Sequence, residues 1–351
     1  MLFSASTAWP QASSQTLACN NSPALCQRSY SDITHLGAHD SPFVSNSANG
    51  FSASGNQFFN STTQLDAGVR LLSLQILWNN DSSQLRLCHT LCALYDAGSL
   101  VSWLSEIKQW MDMNPNEVVT LVLVNAANAA ASQIASDYVN SGIINYAFTP
   151  LANMQQPWPS LSSLISANTK LITFVASLSE NSAAPYLLNE FDYAFENPYQ
   201  VTSPQNFSCF PDRPSAIKGN TVAAESSGRL FLMNHFLGQQ QLLDIVTPAV
   251  ESSSNTNSAD PSAPGSLGAA VQSCFSQYGK APNFVLVDFF NVGPAITTVD
   301  GFNNISSPVG RKQITTSIVS QSRTQGGSSS LRQLSPVFLA IAATMSITML
   351  S

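Results

Sequence analysis

Histidine and aspartate stand side by side at His39 and Asp40, within Thr34-His35-Leu36-Gly37-Ala38-His39-Asp40-Ser41. Ile33 and Leu36 read as the apolar end of a buried strand, and Gly37 as the residue that permits a tight turn. The pair is thereby presented just past a strand's carboxyl end, where parallel α/β sheets place their chemistry. His35 and His39, four residues apart, suit a pair of metal ligands or a hydrogen-bonded structural pair equally well. A further histidine, His89, lies between Cys88 and Cys92. Bridging those cysteines would fix its backbone better than an open loop could, which is a reason to expect function there. In Val69-Arg70-Leu71-Leu72-Ser73-Leu74-Gln75-Ile76 the odd positions share a face. Ser73 and Gln75 therefore point together, toward the active mouth if that face lines a barrel.

The elements that must position these residues alternate. A strand over about Ser31–Gly37 is followed by a Ser/Asn-rich loop from Pro42 to Gly55 and a helix over about Gln57–Ala67, stopped by Gly68. After the strand Val69–Ile76, the stretch Ser99–Met113 places Leu100, Trp103, Leu104, Ile107, Trp110 and Met111 on one helical stripe, a core face. Glu117–Val124 is apolar on both faces, as a parallel sheet demands, with Asn125 at its polar end. A helix over Gln133–Val139, strands over Lys170–Ala176 and Arg229–His235, a short strand over Phe191–Phe195 and a last strand over Asn283–Phe290 continue the series. An eighth strand is expected between residues 140 and 230. This alternation, without a Gly-x-Gly-x-x-Gly turn, predicts one α/β domain: a TIM-type β/α barrel, with room for irregularity.

The chain has 351 residues and a formal charge of −7. Nucleic acid and polybasic membrane contacts are thereby disfavoured, because both rely on Lys and Arg against phosphate. Charged residues are only 9%, against roughly a quarter in ordinary soluble domains, and Ser and Asn fill the surface instead. That composition points outside the cell. Sequons at Asn20, Asn60, Asn80, Asn206 and Asn304 are candidate glycosylation sites. Six cysteines fit three disulfides, with Cys19–Cys26 and Cys88–Cys92 as local pairs and Cys209–Cys274 as a long-range staple. Zinc is the competing reading, but no C-x-x-C pair with a matching partner is present.

The termini carry targeting signals of unequal strength. Residues 1–18 lack a basic region and an apolar run, and read as an incomplete targeting segment. Val337–Leu350 is an apolar tail of 14 residues, too short to span a bilayer comfortably. Small residues at Gly326, Gly327 and Ser328 and a polar spacer precede it, the arrangement of a glycosylphosphatidylinositol (GPI) attachment signal. The expected organisation is a barrel over 19–321, a linker with the attachment site over 322–335 and a removable tail over 336–351.

Taken in order, Thr34–Ser41, Gly68-Val69-Arg70-Leu71-Leu72, Leu87-Cys88-His89-Thr90, Asn114-Pro115-Asn116-Glu117-Val118-Val119, Met233-Asn234-His235-Phe236 and Asn283-Phe284-Val285-Leu286-Val287-Asp288-Phe289 resemble the phosphatidylinositol-specific phospholipase C X-domain superfamily, in the form of the fungal secreted PLC-like phosphodiesterases. The resemblance covers roughly residues 19 to 310. It implies a barrel in which a hydroxyl adjacent to a phosphodiester attacks phosphorus, with His39 as base and His89 as acid. By the same resemblance Asp288 serves His39 and Asp40 serves His89, while Gln75, Ser73, Asn125, Asn234 and His235 are the candidate substrate contacts. His35 and Arg70 read as structural.

The departures are as informative. Bacterial relatives place an Asp and an Arg where this chain has Ser73 and Gln75, and a Lys at about Val124; animal relatives place calcium-binding carboxylates there. All three positions are neutral here. The leading expectation is a metal-free and cofactor-free, monomeric, GPI-anchored phosphodiesterase acting on a phospholipid or other phosphodiester. A catalytically silent barrel that binds lipid headgroups or glycans is the alternative. A metal-dependent glycerophosphodiesterase would need an acidic cluster that Asp40 alone does not supply.

Overall fold

In the computed structural model the described residues are 17–319, apart from Asn80, Ser82, 152–156 and 242–244. The expected GPI site at Gly326–Ser328, the apolar tail, most of the N-terminal segment and Asn80 lie outside them. Eight parallel strands form the frame: β1 (His35–Ala38), β2 (Leu71–Trp78), β3 (Val119–Asn125), β4 (Leu171–Ala176), β5 (Leu187–Asn189), β6 (Ala194–Glu196), β7 (Leu230–Asn234) and β8 (Phe284–Val287). Their spatial order is β5-β4-β3-β2-β1-β8-β7-β6, so the chain order runs round a ring. Among the described residues no ladder joins β5 to β6. The expected barrel is therefore present as a sheet curled into a ring with one open seam.

The seam has a local cause. Between β5 and β6 there is a single helical turn, Glu190–Tyr193, too short to carry the chain back along the barrel before it re-enters the sheet. That turn takes most of the stretch expected as a strand at Phe191–Phe195; only Ala194–Glu196 pairs, with β7. The expected eighth strand is the three-residue β5. At the first strand the difference has another origin: Tyr30–Asp32 forms a 3-10 turn, which delays pairing until His35.

Strand parity sorts the core. Leu71, Val122, Phe174, Leu188, Ala194, Leu230, Leu232, Phe284 and Leu286 form one buried cluster inside the ring, closed below by Tyr30 and Trp158. Leu72, Leu74, Ile76, Leu121 and Leu123 face outward and meet Leu100, Trp103, Leu104, Ile107, Trp110 and Met111 of the helix Leu100–Met113. Ser99, expected as the first helical residue, instead caps that helix by accepting from the Ser102 N–H. Each such side chain contributes on the order of 1.5–3 kcal/mol by burial. Gly37 has a different role from the one expected. It lies inside β1, and a Cβ there would meet Leu286 Cδ2 at 2.7 Å and Leu71 Cδ2 at 2.9 Å, so the filled ring interior requires glycine.

The ends of the ring are tied by polar side chains. At the amino-terminal end Arg70 is buried, 2.6 Å from Glu117, and donates to the Leu65 and Val69 carbonyls and to Asn21. His35 is buried against Tyr30 and Phe284, and burial pushes its pKa down to about 4. Both are structural, as expected. The bonds Cys19–Cys26, Cys88–Cys92 and Cys209–Cys274 are all formed. Among the sequons, Asn60, Asn206 and Asn304 are exposed. The Asn20 side chain is instead buried and accepts from the Val118 N–H.

After the last helix, Ala295–Phe302, the chain climbs the outside of the barrel as a strap. It starts at the amino-terminal end, where the Val309 N–H donates to Asn21 and the Lys312 N–H to Asp66. Arg311 grips Asp300 through Nη1 and Nη2, at 2.5 and 2.7 Å. Asn291 Nδ2 donates to the Thr315 and Ser317 carbonyls, and Ile318 and Val319 finish against Phe58, Phe289 and Val292 at the opposite end.

Candidate active site

The carboxyl ends of β1 and β8 run side by side in register, Ala38 opposite Val287. The next residues, His39 and Asp288, leave the sheet together, and the His39 N–H still donates to the Val287 carbonyl at 2.9 Å. The residue after each turns sharply: Asp40 has φ 46° and Phe289 φ 46°. These are left-handed conformations, uncommon for Asp and strained for Phe. They persist because both turns are pinned. Asp40 N–H donates to Ser73 Oγ at 2.9 Å, and Phe289 N–H to the Asn56 carbonyl at 2.8 Å. Gln57 stitches the two strand ends, donating from Nε2 to the His39 and Val287 carbonyls and accepting from the Phe290 N–H.

His39 is fixed at one ring nitrogen and on its face. Its Nδ1 lies 2.9 Å from Asp288 Oδ1, an oxygen that also accepts from Asn56 Nδ2 at 3.0 Å. The ring stacks on Phe236, centroids 3.6 Å apart and planes within 3°. With Nδ1 bound to Asp288, Nε2 is the nitrogen left for proton transfer. Burial alone would lower the His39 pKa, but the negative charges of Asp40 and Asp288, with the Asp288 hydrogen bond, outweigh it and leave it raised.

His89 arrives from outside the ring. An antiparallel strand, Leu85–Cys88, pairs with β2 and a second, Asp96–Ser99, pairs with it in turn. Past Cys88, the His89 ring packs edge-on against Phe43, its Nε2 3.5 Å from Asp40 Oδ2. His39 Nε2 lies 3.6 Å from the same oxygen. One carboxylate, 3% exposed, therefore stands between two imidazoles that are 20% and 15% exposed. Both separations are charge contacts longer than a hydrogen bond. The direct hydrogen bond to Asp40 Oδ2 comes from Gln75 Nε2 at 3.0 Å. Burial lowers the His89 pKa; Asp40 opposes this only in part, and the neighbouring His39 adds to it.

The six residues His39, Asp40, Ser73, Gln75, His89 and Asp288 thus form one connected group, and Ser73 and Gln75 face inward as their parity indicated. The other candidates brace loops. Asn125 donates to the Ala129 carbonyl and accepts its N–H. Asn234 donates to Glu196 and to the Asn197 carbonyl. His235 is buried against Phe207, its Nε2 2.9 Å from the Thr256 carbonyl, and burial lowers its pKa to about 4. Asn56 and Phe236 were not singled out from the sequence, although both touch His39. Across the mouth, Glu196 pairs with Arg213 beside the fully buried Glu190. Burial, and then the charge of Glu196, hold the Glu190 carboxyl well above the usual range. Among the described residues no group of three or more His, Cys, Asp or Glu side chains is arranged to hold a metal ion.

The profile of the PI-PLC X family, described as PI-PLC X 1, matches residues 25–303. A protein of Arthroderma benhamiae named PI-PLC X domain-containing protein 1 is 38% identical over 294 residues, covering 83% of this chain and 91% of that protein. A second from the same organism, named an uncharacterized secreted protein, is 32% identical over 283 residues, covering 79% of this chain and 61% of that one. The structure is similar to phosphatidylinositol-specific phospholipase C from Listeria monocytogenes, with a TM-score of 0.51, 15% identity and coverage of 80% and 94%. It is also similar to the F249X mutant of the Staphylococcus aureus enzyme, with a TM-score of 0.53, 12% identity and coverage of 82% and 98%. At those identities the structural likeness is one of fold.

Proposed function

Because this chain belongs to the phosphatidylinositol-specific phospholipase C X-domain family, we propose that it is a phospholipase C-like phosphodiesterase that cleaves a phosphoinositide-like or GPI-like substrate with His39 and His89 as base and acid. The observation that carries this reading is the convergence of both imidazoles on Asp40, with the far side of His39 anchored to Asp288. A hydroxyl next to the phosphodiester attacks phosphorus while His39 Nε2 takes its proton. The bond from phosphorus to the leaving alkoxide breaks as His89 supplies a proton, giving a cyclic phosphate. At His89 the nitrogen facing Asp40 is Nε2, so Nδ1, 3.4 Å from Thr90 Oγ1, is the proton-giving atom.

The resting pKa order, His39 raised and His89 lowered, is opposite to the order these roles need. The charge of a bound phosphodiester offsets the burial at His89, because an anion beside it favours its imidazolium. That imidazolium also supplies positive charge toward the phosphoryl oxygens, since Gln75 Nε2 is spent on Asp40 and Arg213 on Glu196. We expect turnover slower than in sites that use arginine, lysine or a metal ion for this purpose, a difference typically worth a few kcal/mol. Three disulfides, a charge-poor surface and a relative named as secreted support a location outside the cell. The small residues Gly326–Ser328 and the apolar tail support a GPI anchor there.

The test is hydrolysis of phosphatidylinositol vesicles and of a GPI mimic in the presence of a chelator, with the His39→Ala/His89→Ala variant alongside. Histidine-dependent release of headgroup is expected. Headgroup binding without turnover by the folded protein would make the barrel a binding module. Activity that returns only with a divalent ion would move the chemistry to a metal.

A further inference from the structure

The two histidines of the mouth are held by different means. His39 is located through its ring, by Asp288 on Nδ1 and Phe236 on its face. The nitrogen contacts of His89 are looser, 3.4 Å to Thr90 Oγ1 and 3.5 Å to Asp40 Oδ2. What is fixed at His89 is the backbone. Its N–H donates to the Tyr95 carbonyl at 3.0 Å, and its carbonyl accepts from the Leu91 N–H at 2.6 Å. Cys88, fully buried, and Cys92 close a ring round the loop with their Cα atoms 4.6 Å apart. Inside that ring Thr90 adopts φ 61°, an outlier for a β-branched residue. The Thr90 N–H donates to Gln75 Oε1 at 3.3 Å, and Gln75 Nε2 passes the constraint to Asp40.

The barrel holds this loop only through the outer edge of β2, which pairs with the strand before it. The loop hangs from a hairpin outside the ring, with a register shift between Arg86 and Cys88. Nor is the bond well suited to stabilising the fold. A disulfide stabilises mainly by restricting the unfolded chain, and that effect grows with loop length. Cys88–Cys92 spans a separation of 4, against 65 for Cys209–Cys274.

We propose that the Cys88–Cys92 bond is a positioning device for the acid: it keeps Thr90 in its strained turn, and so sets the His89 ring on Asp40 and the Thr90 N–H on Gln75. The inference rests on the two-histidine reading above. Its test compares Cys88→Ala/Cys92→Ala with Cys19→Ala/Cys26→Ala, a short bond of separation 7 at the opposite end of the barrel. The readouts are kcat and KM on phosphatidylinositol vesicles, far-UV circular dichroism, and NMR titration of both imidazoles.

For Cys88→Ala/Cys92→Ala we expect kcat to fall about a hundredfold, the cost of a small misplacement of a reacting group, with KM within about threefold. The limb of the pH–rate profile governed by His89 should move. The His89 titration should shift from below the ordinary histidine range toward it, while His39 and the dichroism stay unchanged. The Cys19→Ala/Cys26→Ala variant should keep kcat within about threefold. An unchanged kcat and His89 titration, equal losses in both pairs, or failure of Cys88→Ala/Cys92→Ala to fold would each overturn the inference. If the unaltered protein cleaves no phosphodiester, the phosphodiesterase reading fails and the His89 titration alone decides the positioning role.

Discussion

Replacing Asp288 by Asn tests the site at the contact its geometry makes strongest. Asp288 is 8% exposed and accepts from His39 at 2.9 Å. Hydrogen bonds to charged groups contribute about 1.5–3 kcal/mol, and this one strengthens as His39 takes a proton in the transition state. At about 1.4 kcal/mol per factor of ten, kcat should fall by about 10- to 150-fold. KM should stay nearly constant, because Asp288 faces His39 and Asn56 and not the open mouth. An amide at position 288 can also turn its own N–H toward Nδ1, selecting the wrong tautomer and pushing the loss to the upper end.

The pH dependence has a definite sign. Burial would lower the His39 pKa, but Asp40 and Asp288 outweigh it; Asp288→Asn removes part of that excess, so the limb governed by His39 moves to lower pH. A raised folded-state pKa gives stability that is fully present below the unfolded-state histidine pKa, near 6.5, and is lost as pH rises through the folded value. The melting-temperature deficit of Asp288→Asn should therefore be largest in acid and shrink above neutrality. Steady-state kinetics and thermal melts across pH read both effects. A kcat within about threefold of the unaltered protein, with an unmoved limb and a pH-independent deficit, would show that this contact does not serve the chemistry.

Other outcomes follow from the same structure. Gln75→Glu puts a second carboxylate beside Asp40, where the amide now donates at 3.0 Å; the added negative charge should raise the His39 pKa further and move its limb to higher pH, opposite to Asp288→Asn. Arg70→Ala leaves Glu117, its side chain 12% exposed, without its partner and frees the Leu65 and Val69 carbonyls, so urea unfolding should show a loss of up to about 3 kcal/mol with the activity of the remaining folded fraction retained. Peptide mapping of the secreted protein should find N-glycans among Asn60, Asn206 and Asn304 and none at Asn20, and a mature C-terminus within Gly326–Ser328.

Only part of this site was legible from backbone periodicity; the pairing of His39 with Asp288 and of His89 with Asp40 came from the family resemblance. The parity of β2 put Ser73 and Gln75 on one face, and the ring is on that side. The helix Leu100–Met113 was readable from a regular apolar stripe, whereas Ser99, read as its first residue, is its cap. Three features escaped for physical reasons. A three-residue strand such as β5 is too short to show an alternation, so its position was open within a long interval. Asn125, Asn234 and His235 do stand at or just beyond strand ends, but whether such a side chain turns into the mouth or toward its own loop depends on carbonyls that come near only in the fold. Asn56 is a single amide just past a Ser/Asn-rich loop, with no local signal that its partner is Asp288. Gly37 marked a real constraint at a misjudged place: the crowding of Leu71 and Leu286 demands glycine, while the turn is made by Asp40.

The strap from Pro308 to Val319 bears on how the molecule meets a surface. It begins by Asn21 and Asp66, at the end of the barrel remote from the histidines, and its last side chains rest on Phe58 and Phe289, beside Asp288. Val319 thus lies at the same pole as the reaction. On the GPI reading proposed above, a tether continued from Val319 would start on the histidine side of the barrel, whereas one attached near Cys19 would start on the opposite side.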